Sequence, residues 1–374
     1  MAEALVRDCS LTLLSWLPPD FDAVDRFYGT HLAGALIESL VPGAAWRAIL
    51  GPLPQPLPLI KNHLLMRIAK QLARADRFDV LISGENDTDF GRPGIQFVAN
   101  PYDHQIRLDA AVDPSRIRGA ALLAYWHLAH RISSFGDEGV RKNLTLACSA
   151  WAAARMRDAY AVESIVLYPP APGRFEDVPW AERSAGFVCS GRVSREKRYQ
   201  DVIEILAAVR ERGPASSGIT LDLALLDYDA GYWRELEPLV ERHRSWIRVH
   251  RNVEREPLAR LLSRSRYAIH GMREEPFGMA VAEALLAGAI PFAPAGGGPV
   301  EILGGDERLL FSSRDDAVAK IGAVLSSRAL QDELRERLAS RQPLFTAERF
   351  VKHLRELVTG FATQPAPVRQ VISR

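Results

Sequence analysis

Glu275 and Glu283 stand eight positions apart in the run HGMREEPFGMAVAEALLAG, which begins at His270. On one continuous helix that spacing would leave them roughly 80° apart around the axis and about 12 Å apart along it. Both carboxylates can serve one ligand only if Glu275 lies in a loop and Glu283 on the helix that Phe277 and Gly278 open. A loop carboxylate there can address sugar hydroxyls, and the helix start turns the free N–H groups of Gly278 and Met279 toward phosphate oxygens. Glu283 then suits a ribose diol. A single Glu on an alanine-rich helix would otherwise read as a surface charge.

Two further segments change that balance. CSGRVSREKRYQD, residues 189–201, leaves a strand, turns at Gly191 and supplies Arg192 and Lys197 before the next helix. Arginine offers a planar fork and lysine a point charge, which together suit a diphosphate. Alone this is a solvated basic loop; paired with the glutamate helix it reads as a sugar-nucleotide site. Gly296-Gly297-Gly298-Pro299 follows another strand, allows close backbone approach and precedes Glu301.

In this order and spacing the segments resemble the retaining glycosyltransferases of family 4, which have the GT-B architecture. The likeness covers most of residues 79–359 in outline and is most specific at 191–197 and 270–301. By resemblance, Arg192 and Lys197 correspond to the pair on the departing diphosphate. Glu275 corresponds to the first acid of the E-x7-E motif, near the donor sugar, and Glu283 to the second, on the ribose, with Gly191, Phe277, Gly278 and Met279 around the nucleotide sugar. The resemblance implies transfer of a hexose from a nucleotide-diphosphate sugar to a hydroxyl acceptor, with retained anomeric configuration and neither metal nor cofactor required. The wording of the glutamate segment, with VLYPP at 166–170, is most similar to the branch that adds mannose to lipid-linked oligosaccharides. One departure concerns the N-terminal half. Ala99, in FVANPY, stands where the family often carries a histidine facing the donor sugar, leaving Asn100 and His104 as the acceptor-side candidates. That loss favours a rival reading: a catalytically silent nucleotide-sugar-binding homologue or partner subunit.

The elements that must hold these residues are α/β. At 374 residues and 41.5 kDa the length suggests two domains. Short strand runs at 10–16, 79–83, 94–99, 144–148 and 164–167 alternate with helical periodicity. The alternation is cleaner after 186, with strands at 186–190, 219–226, 247–250, 267–270 and 289–293 and helices between them, predicting parallel βαβ units and two Rossmann-like domains facing across a cleft. Prolines at every second position of 52–58 make an extended connector, and the Pro-rich stretch 168–180 marks a boundary. The expected layout is an acceptor domain at 1–168, a linker at 169–183, a nucleotide-sugar domain at 184–345, a crossover helix at 346–361 returning to the first domain, and a disordered tail at 362–374. The opening MAEALVRDCSLTLLSW reads as the end of a helix followed by a second strand, so a first strand and glycine-rich loop, roughly 25 residues, are expected to be missing.

Composition sets outer bounds. Hydrophobic residues at 47% and charged residues at 25% are those of an ordinary globular protein, and a net charge of +1 provides no long-range field for nucleic acid. The three cysteines, far apart and without a C-x-x-C pair, suggest a reduced, cytoplasmic setting. No apolar run reaches the roughly 18 residues of a membrane span. Residues 59–77 combine apolar Leu64, Leu65, Ile68 and Leu72 with Lys61, Arg67, Lys70, Arg74 and Arg77, which suits either a core helix with a solvated basic face or peripheral contact with the inner face of a membrane. Asp87-Thr88-Asp89 and Asp227-Tyr228-Asp229 spell D-x-D, but no metal is assigned to them, because Arg192 and Lys197 already fill the electrostatic role. His127 and His130 are read as helix-surface residues.

Overall fold

The computed structural model describes residues 1–50, 58–84, 86–112 and 116–363. Of the expected connector at 52–58, residues 52–57 lie outside them and Pro58 already begins a helix; the tail from 364 lies outside them too. Two compact units form: one from Met1–Asp25, Thr30–Tyr168 and the chain from Phe350, the other from Arg26–Gly29 and Pro169–Arg349. Among the described residues no helix is long and apolar enough to cross a membrane.

In the first unit, β1 (Leu11–Leu14) and β2 (Ile37–Leu40) make a two-stranded parallel sheet. A second parallel sheet runs β3 (Ile82–Ser83), β4 (Ile95–Val98), β5 (Leu144–Ala147), β6 (Ile165–Val166) in spatial order. β4 and β5 are largely buried leucine-, isoleucine- and valine-bearing strands, as a sheet covered on both faces requires. The helix Ala347–Thr363 packs Phe350, Leu354, Val358 and Phe361 against Leu5, Ile95 and Leu146. Its apolar residues recur at helical spacing and therefore share one stripe. The helix runs on through Thr363, beyond the expected end at 361.

The basic segment 59–77 is largely the helix Pro58–Arg74. Leu59, Ile60 and Leu64 are buried in one cluster with Ala129 of the helix Arg116–Ser133. Lys70, counted above among the outward cations, is instead buried 2.6 Å from Asp89. Much of the stripe thus already has a protein partner.

The second unit holds one continuous parallel sheet: β7 (Ser184–Arg192), β8 (Leu221–Leu226), β9 (Ile247–Arg251), β10 (Ser265–Ile269), β11 (Ile290–Pro294) and β12 (Leu310–Phe311), in the spatial order β12-β11-β10-β7-β8-β9. The chain winds one way from β7 through β8 to β9, then returns to lay β10 on the other side of β7. That reversal is a topological switch point, where open α/β sheets form a crevice at the carboxyl ends of their strands. Phe187 of β7 stacks on Tyr267 of β10 with centroids 5.0 Å apart, fixing the two central strands.

Candidate active site

Each chemistry-bearing segment leaves the carboxyl end of a strand beside the switch point. Gly191 and Arg192 end β7, the glutamate loop follows β10, and the triple glycine follows β11. Close backbone approach holds the loops together. A Cβ on Gly271 would lie 2.5 Å from the Lys197 carbonyl oxygen, and one on Gly297, whose φ is +69°, would lie 2.2 Å from that of Glu275. The Gly298 N–H donates to the same Glu275 oxygen at 2.8 Å. The triple glycine therefore serves the glutamate loop, seating it against the start of the next turn.

These loops enclose a cavity of about 270 Å³ lined by Gly191, Arg192, Lys197, Glu275, Met279 and Glu283 among others. The spacing argument for the two glutamates agrees with what is seen: Glu275 lies in the loop and Glu283 on the helix Met279–Leu286, and both reach one cavity. Val281 and Ala282 N–H groups close on the Gly278 carbonyl, whereas those of Met279 and Ala280 have no partner among the described residues. A helix start is thereby left to an anion. Phe277 is placed elsewhere: its ring is buried near Phe345, centroids 6.0 Å apart, and does not line the cavity. Its aromatic bulk anchors the helix start from below. Gly278 supplies the left-handed turn into the helix at φ +105° and likewise does not line the cavity.

The electrostatics split the two acids. Burial pushes the Glu275 carboxyl up, but His270 and Lys197 outweigh it and hold it at about 2. Lys197 Nζ is 2.5 Å from Glu275 Oε2, and His270 Nε2 is 3.2 Å from the same oxygen. Glu275 is thus a fixed anion. Burial dominates at Glu283 and raises it to about 7 despite Arg255, whose Nη1 lies 2.5 Å from its Oε1. Arg192 is half exposed, lies 4.8 Å from the Tyr228 ring and has only a 3.5 Å contact with Glu196. It is the more exposed cation of the pair, while Lys197 is held against Glu275.

Sequence reasoning missed Arg255, His270 as a partner of Glu275, and the Phe27–Tyr28 wall. Arg255 donates to the Phe27 carbonyl at 3.0 Å and carries its ring 5.4 Å away. Both aromatics line the cavity. No signal could have found residues 27 and 28, which are far away in sequence. Nor did charge single out Arg255, since Glu254 and Glu256 flank it and leave the start of the helix Arg255–Ser263 without a basic excess.

In the first unit, Asn100 accepts from Arg155 Nε at 3.0 Å, and His104 packs its ring 5.9 Å from that of Tyr160. Burial, with Arg107 beside it, lowers the His104 pKa. His130 requires a correction. It is not a surface residue: its side chain is 15% exposed and its Nε2 lies 2.7 Å from Asp103 Oδ1, while His63 Nε2 lies 2.9 Å from Oδ2. His127 is exposed as expected. The donor atoms of His63, Asp103 and His130 lie within 4.8 Å of one another, so the trio has the composition of a metal-ligand set, yet each is engaged in hydrogen bonds. All four D-x-D acids are engaged too. Asp87 accepts from the Tyr160 hydroxyl and Asp89 from Lys70, while Asp227 pairs with Arg251 and Asp229 caps the helix Ala230–Arg242.

Residues 174–342 match the family model described as glycosyl transferases group 1. A curated relative, the GDP-Man:Man(3)GlcNAc(2)-PP-Dol alpha-1,2-mannosyltransferase of Dictyostelium discoideum, is 22% identical over 67% of this chain and 54% of its own length. The chain thus spans about half the length of that relative. Among solved structures, the fold is similar to that of a sucrose-phosphate synthase from Thermosynechococcus elongatus, with a TM-score of 0.67 and 16% identity over 97% of this chain and 92% of that one. It is also similar to WaaG, a glycosyltransferase involved in lipopolysaccharide biosynthesis, with a TM-score of 0.65 and 15% identity over 96% and 94%. Anabaena HepE, solved with UDP and glucose, gives 0.58 and 13% over 96% and 94%. The fold is that of the GT-B glycosyltransferases.

Proposed function

We propose that the chain is a retaining glycosyltransferase of family 4 that moves a hexose from a nucleotide-diphosphate sugar to a hydroxyl acceptor, without a metal requirement. One observation carries the reading: Arg192, Lys197, Glu275, Glu283 and a helix start converge on one cavity at the switch point of the second unit's sheet. As the bond between the anomeric carbon and the phosphate oxygen breaks, positive charge grows on the sugar and negative charge on the diphosphate. Arg192, Lys197 and the Met279 and Ala280 amides stabilise that negative charge where it forms. Glu275, ionised by its partners, addresses the sugar hydroxyls, and Glu283 takes the ribose diol. Lys197, paired with Glu275 in the free site, is already in place for the diphosphate. Because fixed cations serve the leaving group, turnover is expected to survive a chelator.

Mannose and a lipid-linked acceptor are the finer reading, supported by the name of the curated relative and by the wording of the glutamate segment. The first unit is the acceptor side, with Asn100 and His104 as its polar candidates. Lys61, Arg67, Arg74 and Arg77 remain available for peripheral contact with an anionic membrane. The silent homologue is kept as a second reading on one observation: exposed Ala99 brings no imidazole to the acceptor side.

A panel of GDP- and UDP-sugars tests both. Transfer in the presence of EDTA, with the product's anomeric configuration read by NMR, is the expected outcome. Tight nucleotide binding with neither transfer nor donor hydrolysis would select the silent homologue, and an inverted product would overturn the retaining assignment.

A further inference from the structure

The donor cavity extends beyond the groups assigned to the diphosphate and the ribose. Met279 opens the helix Met279–Leu286, and Glu283 stands one turn along it, about 6 Å further in rise. A nucleoside diphosphate with its phosphates at the helix start and its ribose at Glu283 therefore carries its base past Glu283. There Arg255 meets Glu283, and Leu225, Leu226, Val253 and Leu258 also line the cavity. Leu225 and Leu226 end β8, and Val253 follows the adjoining β9, so the apolar wall is built on paired strand ends. Arg255 is the charged group set in it.

That guanidinium is clamped. Its Nε donates to the Phe27 carbonyl at 3.0 Å, its Nη1 donates to Glu283 Oε1 at 2.5 Å, and the Phe27 ring lies 5.4 Å away. Arg26–Gly29 belong to the second unit, so the whole clamp does. The side chain is only 16% exposed. A guanidinium carries five N–H donors in a rigid fork. The second N–H of Nη1 and both on Nη2 have no partner among the described residues, and Arg255 lines the cavity from which a ligand would reach them. Two donors, side by side and fixed in direction, are thus left for a ligand with two adjacent acceptors.

We infer that Arg255 reads the base of the donor and selects guanine, through its O6 and N7 edge. The inference rests on the donor-site reading above and names the nucleotide that site takes. Among the common bases, guanine alone presents two acceptors side by side on an edge that the ribose leaves open. Adenine sets an amino donor beside N7, and cytosine shows an amino donor on its open edge. Uracil offers O4 between a ring C–H and the N3–H, so one donor of the fork would stay unpaired. A lysine at the same place would serve any acceptor, because a point charge has no fork to match. The Tyr28 ring, 4.8 Å from that of Phe27 and half exposed at the same cavity, gives a base a face to stack on. Stacking serves every base and leaves the choice to Arg255.

Calorimetry of the full chain with GDP, UDP and ADP tests this, with two altered bases as probes of the edge. GDP should bind about tenfold or more tightly than UDP and ADP. Inosine diphosphate, which keeps O6 and N7 but lacks the 2-amino group, should bind within about threefold of GDP, whereas 7-deaza-GDP, with a C–H in place of N7, should lose about fivefold. Arg255→Lys keeps a cation for Glu283 without the fork, and should shrink the ratio of GDP to UDP affinity by about tenfold while circular dichroism stays unchanged. A purely structural Arg255 would weaken all nucleotides alike and preserve that ratio. Equal binding of the three diphosphates, undiminished 7-deaza-GDP, inosine diphosphate as weak as UDP, or an intact ratio in folded Arg255→Lys would each overturn the inference and leave the donor site standing. Binding of none of the nucleotides would overturn the donor-site reading and this inference with it.

Discussion

Each unit buries two acids whose titration is driven in opposite directions. In the first, Asp103 is held at about 2 and Asp87 raised to about 6; in the second, Glu275 is held at about 2 and Glu283 raised to about 7. By pKa alone the two pairs look alike. Their partners separate them. Asp103 receives His63, His130 and the Trp126 indole, and Asp87 receives the Tyr160 hydroxyl, so ring and hydroxyl donors of the same unit consume their oxygens. Glu275 and Glu283 are each met by a cation, Lys197 and Arg255, and share their cavity with Arg192 and a helix start. A perturbed acid marks a site when its surroundings leave groups to spare for a ligand. The first pair holds helices together; the second is poised to bind.

The largest effect that can break this contrast concerns the cations. Arg192→Ala with Lys197→Ala should lower transfer by more than 100-fold, as when donors are removed from a developing oxyanion. Circular dichroism should stay unchanged, since Arg192 is half exposed, while the melting temperature should fall because Glu275 loses the cation it pairs with. Retained turnover in a folded double variant would make the second unit's acids as structural as the first unit's.

Next comes the first unit. Asp103→Asn puts an amide against donors that Asp103 accepts, and should cost roughly 2–4 kcal/mol of stability, read by urea denaturation. Nucleotide affinity, measured by calorimetry, should stay within about twofold. A loss of affinity instead would show that the buried trio reaches the donor site. Smaller still, Glu283→Gln should weaken nucleotide binding by about tenfold, the range of one charged hydrogen bond. An unchanged affinity would return Glu283 to the role of a buried structural acid.

The second unit was far more legible in the sequence than the first, for physical reasons. Its strands are continuous apolar runs because both faces are covered, and its motifs are local: Gly191 to Lys197 and His270 to Glu283 each leave one strand end. Short edge strands carry no such signal. β2, with Glu38 and Ser39 between Ile37 and Leu40, and β12, of two residues, were not read at all. Nor were the helices Arg314–Ser326 and Arg328–Ala339. The His63–Asp103–His130 trio joins three helices through separations that no motif spans, so His130 looked like a surface residue beside His127. Arg255 escaped for the same reason, since its meeting with Glu283 depends on the packing of two helices. Phe277 was misplaced because an aromatic at a helix start can face a ligand or the core, and only tertiary packing decides.

The finest distinction between the pairs is the pH dependence of donor binding. Glu283 titrates at about 7 in the folded chain, above its ordinary 4.5. Its raised value means the neutral form is favoured by the fold: that contribution to stability is complete below pH 4.5 and is lost as pH rises through 7. Glu275, held at about 2, behaves oppositely, its contribution being present above 4.5 and lost only as pH falls toward 2. Between pH 6 and 8, then, Glu283 alone of the two site acids changes charge. A ribose diol prefers the ionised carboxylate as acceptor. Lowering the pH from 7.5 to 6.5 reduces the ionised fraction about threefold for a group titrating near 7, so nucleotide affinity should weaken by about threefold. Calorimetry in buffers of different ionisation enthalpy should detect the proton released on binding near pH 7. Glu283→Gln should flatten both signals, whereas Asp87→Asn, which removes the raised acid of the other unit, should leave both in place. If the slope follows Asp87 instead, the two pairs have exchanged roles and the donor site is not where the cations converge.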